Sequence, residues 1–282
     1  MRVLVTGSGG LVGAALTKHC RAGGDDVFDY DHQALDIADR ELVKSTLLAV
    51  KPQAVINCAA FTDVDGCELD PDRAKAANAL GPENLAESSR LVNAAFVTIS
   101  TDYVFDGRKE GFYTQQDEPN PISIYGRSKL DGERRAQLAY PRTMVVRSGF
   151  IFGPGGRNFL STIVDRARRA EPLKAIGDAY GTPTFAWHLA ARLRELAQLD
   201  VPGVFHVVNE GNGVSYAEFA RKAIDRAGFG SVNLQAVEMD SLNRPAPRPR
   251  NSRLKCLVSS TMGLSPLPSW EQGVDEFVAA SL

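Results

Sequence analysis

The sequence lacks most of what would tie it to a metal, a disulfide framework, a membrane or a nucleic acid. Its four cysteines, Cys20, Cys58, Cys67 and Cys256, form no C-x-x-C pair, which argues for structural thiols rather than zinc ligands or disulfides. The four histidines, His19, His32, His188 and His206, are scattered without ligand spacing, so no metal site is expected. No apolar run approaches the roughly 20 residues that cross a bilayer. The apolar stretch of Met1-Arg2-Val3-Leu4-Val5 is too short for a signal peptide, and a cytoplasmic protein with no membrane contact is the expectation. Neither sign of charge dominates, since 32 Lys and Arg face 34 Asp and Glu. Without a basic block no nucleic-acid partner is expected, and an anionic ligand must be met by a local site.

What is present is an alternation of strands and helices. Val3–Val5, Val27–Tyr30, Ala54–Ala59, Ala95–Ser100 and Thr143–Arg147 read as strands. Between them, Leu11, Val12, Ala15 and Leu16 fall at helical spacing, Arg40–Val50 reads as a helix ended by Pro52, Asp72–Arg90 as one long helix, and Leu130–Leu138 as another. This predicts an α/β fold with a doubly wound parallel sheet covered on both faces. Beyond about Gly149 the pattern loosens, with Gly, Pro and charge gathered in Gly153–Arg157 and Arg244–Arg250 and helices at Asn158–Arg169 and Ser215–Ala227. The division expected is a dinucleotide-binding domain over 1–149, with a returning segment near 182–208, and a mainly substrate-binding lobe over 150–282.

Gly7, Gly10 and Gly13 form a G-x-x-G-x-x-G loop between the first strand and an amphipathic helix. Such a turn lets the backbone approach a pyrophosphate, and the helix start at Leu11 and Val12 offers N–H groups to it. The plain alternative is a glycine-rich turn; the position after an N-terminal strand favours the nucleotide. Asp31, after the second strand, suits the adenosine ribose hydroxyls. A carboxylate there repels a 2′-phosphate, which favours NADH over NADPH, and the adjacent His32 softens that preference. Asp36 and Ile37 are placed to flank the adenine.

Tyr125 and Lys129 stand four apart, on one face of a helix. A tyrosine with a pKa of roughly 10 is a poor acid–base group alone; a neighbouring ammonium stabilises the phenolate. Tyr125 can then protonate a carbonyl oxygen. A lone Y-x-x-x-K recurs by chance, and the alternative is a surface tyrosine after a polar strand end. The preceding strand gives the pair its weight, because it ends in Ser100-Thr101-Asp102-Tyr103, where α/β sheets bind ligands. Thr101 can offer its hydroxyl to the same oxygen.

Ser-Thr-Asp-Tyr-Val-Phe-Asp-Gly at 100–107 and Tyr-Gly-Arg-Ser-Lys-Leu-Asp-Gly-Glu at 125–133 resemble the dTDP-4-dehydrorhamnose reductases, which are extended short-chain dehydrogenase/reductases. The resemblance covers nearly the whole chain. It takes in Asn57–Asp65, Asn78–Gly81, Asn84–Ala86, Gly155–Phe159, Gly181–Thr184 and Arg248–Ser252. It implies a Rossmann-type fold and reduction of the 4-keto group of a nucleotide-linked 6-deoxyhexose by NADH or NADPH. It implies Thr101, Tyr125 and Lys129 as the catalytic trio. Gly7, Gly10, Asp31, Asp36, Ala59, Ala60 and Thr62 would line the cofactor, and Asp102, Asn158 and Arg248 would lie near the nucleotide sugar.

Two departures stand out. Leu11 stands where the family usually has Gln, and Phe150 where it usually has Trp. Phe150 keeps an apolar wall beside the sugar but has no indole N–H donor, which bears on which sugar is taken. Some family members bind magnesium at a dimer contact; no acidic residues here are assigned to that role, and a homodimer is compatible with the resemblance. Three rival readings stand beside the main one. The first is a reductase of a different nucleotide sugar. The second is a sugar-nucleotide dehydratase or epimerase, although dehydratases carry Thr-Asp-Glu where this chain has Thr101-Asp102-Tyr103. The third is a non-catalytic subunit resembling the regulatory subunit of methionine adenosyltransferase, which shares the fold.

Overall fold

The apolar segments condense into one six-stranded sheet in the computed structural model, which describes residues 1–281. Strands β1 (Arg2–Thr6), β2 (Asp26–Tyr30), β3 (Ala54–Asn57), β4 (Ala95–Thr101), β5 (Thr143–Ser148) and β6 (Gly203–His206) lie in the order β6-β5-β4-β3-β1-β2. Every neighbouring pair is parallel. The helices that matter to the site are α1 (Leu11–Ala22), α2 (Arg40–Val50), α3 (Gly81–Leu91), α4 (Ile124–Ala139), α5 (Phe159–Arg168), α6 (Ala186–Leu199), α7 (Tyr216–Arg226) and α8 (Trp270–Ser281).

Side chains alternate across the sheet. Val3, Val5, Ile56, Val97 and Val146 face α1 and α6, while Leu4, Val55 and Phe96 face α2, α3 and α4. Both faces are therefore dry, and the strands read as continuous apolar runs. From β1 the chain moves outward to β2, then returns to the other side of β1 as β3. This reversal opens a crevice at the carboxyl ends of β1 and β3, the position where open α/β sheets take ligands.

The region past Gly149 divides between two layers. Helix α6 packs on α1, and β6 pairs with β5, so both complete the sheet layer. Phe152, Phe185, Phe219, Trp270 and Phe277 form a separate core with α5, α7 and α8.

The long helix expected over Asp72–Arg90 is interrupted. A helix at Pro71–Lys75 runs into a π-helical turn at Ala76–Leu80 before α3 begins. Pro82 has no N–H to give the Asn78 carbonyl, so the regular ladder cannot continue there. That carbonyl instead packs on α4, where a Cβ at Gly132 would stand 2.0 Å from it. The Asn78 side chain grips the Phe61 backbone, accepting from its N–H at 2.8 Å and donating to its C=O at 2.9 Å. The wide turn thus ties the loop after β3 to α4.

His206, at the end of β6, is 2% exposed. Burial, helped by the Arg147 guanidinium, pushes its pKa down to about 4 from 6.5. The unfolded chain therefore takes up a proton at this residue before the folded one does. The resulting stability is fully present above pH 6.5 and is lost as pH falls through about 4. The melting temperature is expected to fall by several degrees between pH 7 and pH 5, and less in His206→Gln. Equal slopes for the two proteins would remove His206 from the account.

Candidate active site

The turn from β1 into α1 is shaped for close approach. Gly7 adopts φ +68° and lies against the strand end beyond β3, where a Cβ would stand 2.6 Å from the Ala59 nitrogen. A Cβ at Gly13 would stand 2.1 Å from the Gly7 carbonyl oxygen. Only glycine fits these two places, so strand, turn and helix close up tightly. Gly10 caps α1 with no side-chain hydrogen bond, which leaves the first-turn amides to a ligand. Asp31 packs against this loop, 3.6 Å from where a Gly9 Cβ would be. Its Oδ1 accepts the Gln33 and Ala34 N–H groups, so the carboxylate is held at the turn after β2 with its other oxygen free. These features fit a dinucleotide. Asp36 is exposed and accepts the Ala38 N–H. The Ile37 side chain is 4% exposed, where a Gly81 Cβ would stand 2.4 Å from its Cδ1, and so belongs to the core beside the cleft.

From this loop a cleft of about 590 Å³ runs along the carboxyl ends of the strands to the second lobe. Gly10, Leu11, Val12, Ala60 and Thr62 line it together with Thr101, Asp102, Tyr125 and Lys129 and, from the chain past β5, Phe150 and Asn158. Gly7, Gly13 and Ala59 lie beneath it as close-packed backbone. The floor is pinned by a relay across three strands: Thr6 Oγ1 donates to Asn57 Oδ1 at 2.7 Å, and Asn57 Nδ2 donates to Thr98 Oγ1 at 3.0 Å.

Ser123 caps α4 by accepting the Gly126 N–H at 3.2 Å, which sets the helix start at the cleft. Gly126 lets that start press on β4, since a Cβ would stand 2.2 Å from the Tyr103 carbonyl oxygen. Tyr125 and Lys129 therefore both meet the end of β4. Lys129 is 5% exposed and its Nζ donates to the Ile99 carbonyl at 2.7 Å. Burial pulls its pKa down to about 8, opposed by Glu133. Burial pushes the Tyr125 phenol up, with the Thr101 hydroxyl opposing. At neutral pH the tyrosine thus keeps its proton and the lysine is mostly charged, the pairing a proton donor needs.

Thr101 Oγ1 donates its single proton to Asp102 Oδ1 at 3.0 Å and accepts the Tyr103 N–H at 3.2 Å. It must turn from Asp102 to donate to a ligand. Asp102 is 3% exposed, and burial raises its pKa to about 6, opposed by hydrogen bonds from Ser252 and Thr101. Ser252 Oγ donates to Asp102 Oδ2, bringing a residue from far along the chain against the strand end.

At the lobe end, Phe150 adopts φ +45° and stacks on Tyr216 with centroids 4.0 Å apart. Gly181 makes room for this ring, since a Cβ there would stand 2.3 Å from it. Asn158 caps α5: its Nδ2 donates to Gly153 O and Gly156 O, and its Oδ1 accepts the Ser161 N–H. Its side chain holds the loop that walls the cleft. Arg248 makes a paired contact with Asp65, at 3.0 and 2.9 Å. Among the described residues, no three His, Cys, Asp or Glu side chains gather where they could hold a metal ion, and no helix is long and apolar enough to cross a membrane.

Residues 1–282 match the family described as the RmlD substrate binding domain. The chain belongs to that family. It is 35% identical to a dTDP-4-dehydrorhamnose reductase of Mycolicibacterium smegmatis, over 99% of this chain and 85% of the relative. It is 33% identical to the spore coat polysaccharide biosynthesis protein SpsK of Bacillus subtilis, over 98% of this chain and 96% of the relative. The crystal structure of dTDP-4-dehydrorhamnose reductase from Bacillus anthracis in complex with NADP superposes with a TM-score of 0.95 at 33% identity, covering 99% of this chain and 98% of that one. The α/β fold with a parallel central sheet is thus shared with that reductase, which was solved with NADP bound.

Sequence reasoning missed two contributors to this family member's cleft. Ser252 lies in the Arg248–Ser252 run, but its hydrogen bond to Asp102 spans 150 residues and leaves no local signal. Tyr216 sits at the start of α7 in no motif, and only the packing of the second lobe brings it to Phe150.

Proposed function

We propose that this chain uses NADH or NADPH to reduce the C4 ketone of a nucleotide-linked 4-keto-6-deoxyhexose, with dTDP-4-dehydrorhamnose as the leading substrate. The observation that carries this reading is the convergence of Thr101, Tyr125 and Lys129 on one cleft with the glycine loop of β1–α1. The names of the M. smegmatis and B. anthracis relatives support it. When bound, the reduced nicotinamide supplies hydride to the ketone carbon. Tyr125 gives its proton to the ketone oxygen. Lys129 stabilises the phenolate left behind. Thr101 turns from Asp102 and orients the same oxygen, while Asp102 stays anchored by Ser252. Gly7, Gly10 and Gly13 admit the pyrophosphate to the start of α1, Leu11, Val12, Ala59, Ala60 and Thr62 line the dinucleotide, and Asp31 accepts from the ribose. Asp36 and the Ile37 backbone would edge the adenine. Asn158 acts through the loop it caps, and Arg248 through Asp65.

The division of labour belongs to the same proposal: residues 1–149 with 182–208 hold the cofactor, and the rest of 150–282 holds the nucleotide sugar. So do a homodimer and a cytoplasmic setting, the first to be checked by light scattering. The activity test is oxidation of NADH and of NADPH, followed by absorbance with freshly prepared dTDP-4-dehydrorhamnose. Substrate-dependent oxidation supports the reading, and the ratio of the two rates tests Asp31, which favours NADH. No oxidation with that sugar or with other 4-keto sugars would turn the reading toward a non-catalytic subunit. A second substrate has a specific observation behind it. The Phe150–Tyr216 stack presents an apolar wall without an N–H donor, which suits a sugar with fewer hydroxyls at that edge.

A pH dependence follows. Lys129 loses its proton as pH rises through about 8, and Tyr125 then loses its electrostatic partner. The kcat is expected to fall about tenfold per pH unit above that point, as for a single required proton. A profile flat to pH 10 would remove Lys129 from this role.

A further inference from the structure

We propose that Glu133 is a positioning residue of the reaction, the counter-charge that keeps Lys129 cationic while it fixes the strand end bearing Thr101. This rests on the reductase reading above. Helix α4 carries Tyr125, Lys129 and Glu133 at successive four-residue steps, one stripe along its face. Each meets the last residues of β4. Tyr125 lies by the Thr101 hydroxyl, Lys129 Nζ donates to the Ile99 carbonyl, and Glu133 Oε1 accepts from Ser100 Oγ.

Glu133 is 3% exposed and forms a forked pair with Arg147 of β5. Arg147 Nε donates to Oε1 at 3.0 Å and Nη2 to Oε2 at 2.6 Å. The fork and the Ser100 hydroxyl satisfy both carboxylate oxygens. A buried ion pair by itself adds little stability over apolar residues of the same size, so its place one turn from Lys129 calls for a use.

The groups facing Lys129 supply that use. From its own helix come Tyr125 and Glu133; from the end of β3, Cys58; from the helix Val64–Leu69, Cys67; and from β4, the Ile99 carbonyl. Burial raises the Cys58 thiol to about 12 and the Cys67 thiol to about 11, and it raises Tyr125 as well, so all three are neutral at pH 7. Asp102 faces Thr101 and Ser252. Arg147 in turn faces Phe105, 5.3 Å from the ring centroid, and His206, whose imidazole burial keeps neutral. Among these groups Glu133 is the one anion acting on Lys129.

The test reads Lys129 directly. Its side-chain ¹⁵N resonance, assigned by loss in Lys129→Arg, is titrated in the full chain without ligands. Glu133→Gln keeps a hydrogen-bonding side chain and removes the charge. Lys129 is expected to titrate about one pH unit lower in it, and the alkaline limb of kcat to move by the same amount. Glu133→Asp should titrate as wild type. An unmoved Lys129 in Glu133→Gln, or an equal fall in Glu133→Asp, would overturn the proposal. Should Glu133→Gln fail to fold with Arg147 left unpaired, the double variant Glu133→Gln/Arg147→Met removes that charge and must show the same fall. Because the titration needs no turnover, failure to reduce keto sugars would sink the reductase reading and leave this result standing.

Discussion

Tyr125→Phe is expected to lower turnover by about 10²- to 10⁴-fold, the usual range for loss of a positioned proton donor. The ring of Tyr125 meets that of Tyr103 edge-on, with centroids 5.8 Å apart, and the substitution preserves this contact. The α4 cap at Ser123 and the Lys129 contact with Ile99 are likewise untouched. Cofactor affinity should therefore stay close to wild type. A variant that kept near wild-type turnover would remove Tyr125 as the acid. One that lost cofactor binding as well would make the tyrosine a binding residue.

Gly13→Ala is expected to have the largest effect on cofactor binding. The added methyl would stand 2.1 Å from the Gly7 carbonyl oxygen and 2.9 Å from the Ser8 Cα. Both are backbone atoms, and Gly7 is itself held against Ala59, so no flexible side chain can yield. The turn must widen, which costs about 1–3 kcal/mol. It also moves the first-turn amides of α1 away from the pyrophosphate. NADH and NADPH affinity should each fall at least about tenfold, the equivalent of roughly 1.4 kcal/mol, and the melting temperature by several degrees. Lys18→Ala is the control, because it changes an exposed residue of the same helix and leaves the turn alone. Titration of both variants with cofactor, alongside thermal melts, checks this. Equal affinities for Gly13→Ala and wild type would place the pyrophosphate elsewhere.

Much of this site was legible because its parts are local in sequence. The glycine loop joins two adjacent elements, and the Tyr125–Lys129 spacing is one helical turn. The motif at 100–103 marks a strand end wherever that strand lies in the sheet. What escaped is non-local. The Ser252 contact with Asp102 exists only after the chain past α7 has returned to β4. The resemblance placed Arg248 near the nucleotide sugar, and in the fold it forks onto Asp65, a pairing that no local pattern marks. Ile37 follows an exposed acid, yet its side chain fills the space above Gly81. The interruption of the helix after Pro71 left little local trace because the turn itself, Ala76-Ala77-Asn78-Ala79-Leu80, is made of residues that suit an ordinary helix as well. The residue that forces it, Pro82, falls inside the helix expected over Asp72–Arg90, where a proline is itself a sign that the ladder breaks.

Deuterium labelling reads hydride delivery to the ketone carbon itself. NADH or NADPH deuterated at the transferring position of the nicotinamide is incubated with the protein and dTDP-4-dehydrorhamnose, and the sugar product is examined by mass spectrometry and NMR. One deuterium at C4 of the hexose, formed in step with oxidised cofactor and at a rate that falls with Tyr125→Phe, is expected. Sugar conversion without oxidised cofactor or C4 deuterium would contradict it and point to dehydratase or epimerase chemistry on the same fold.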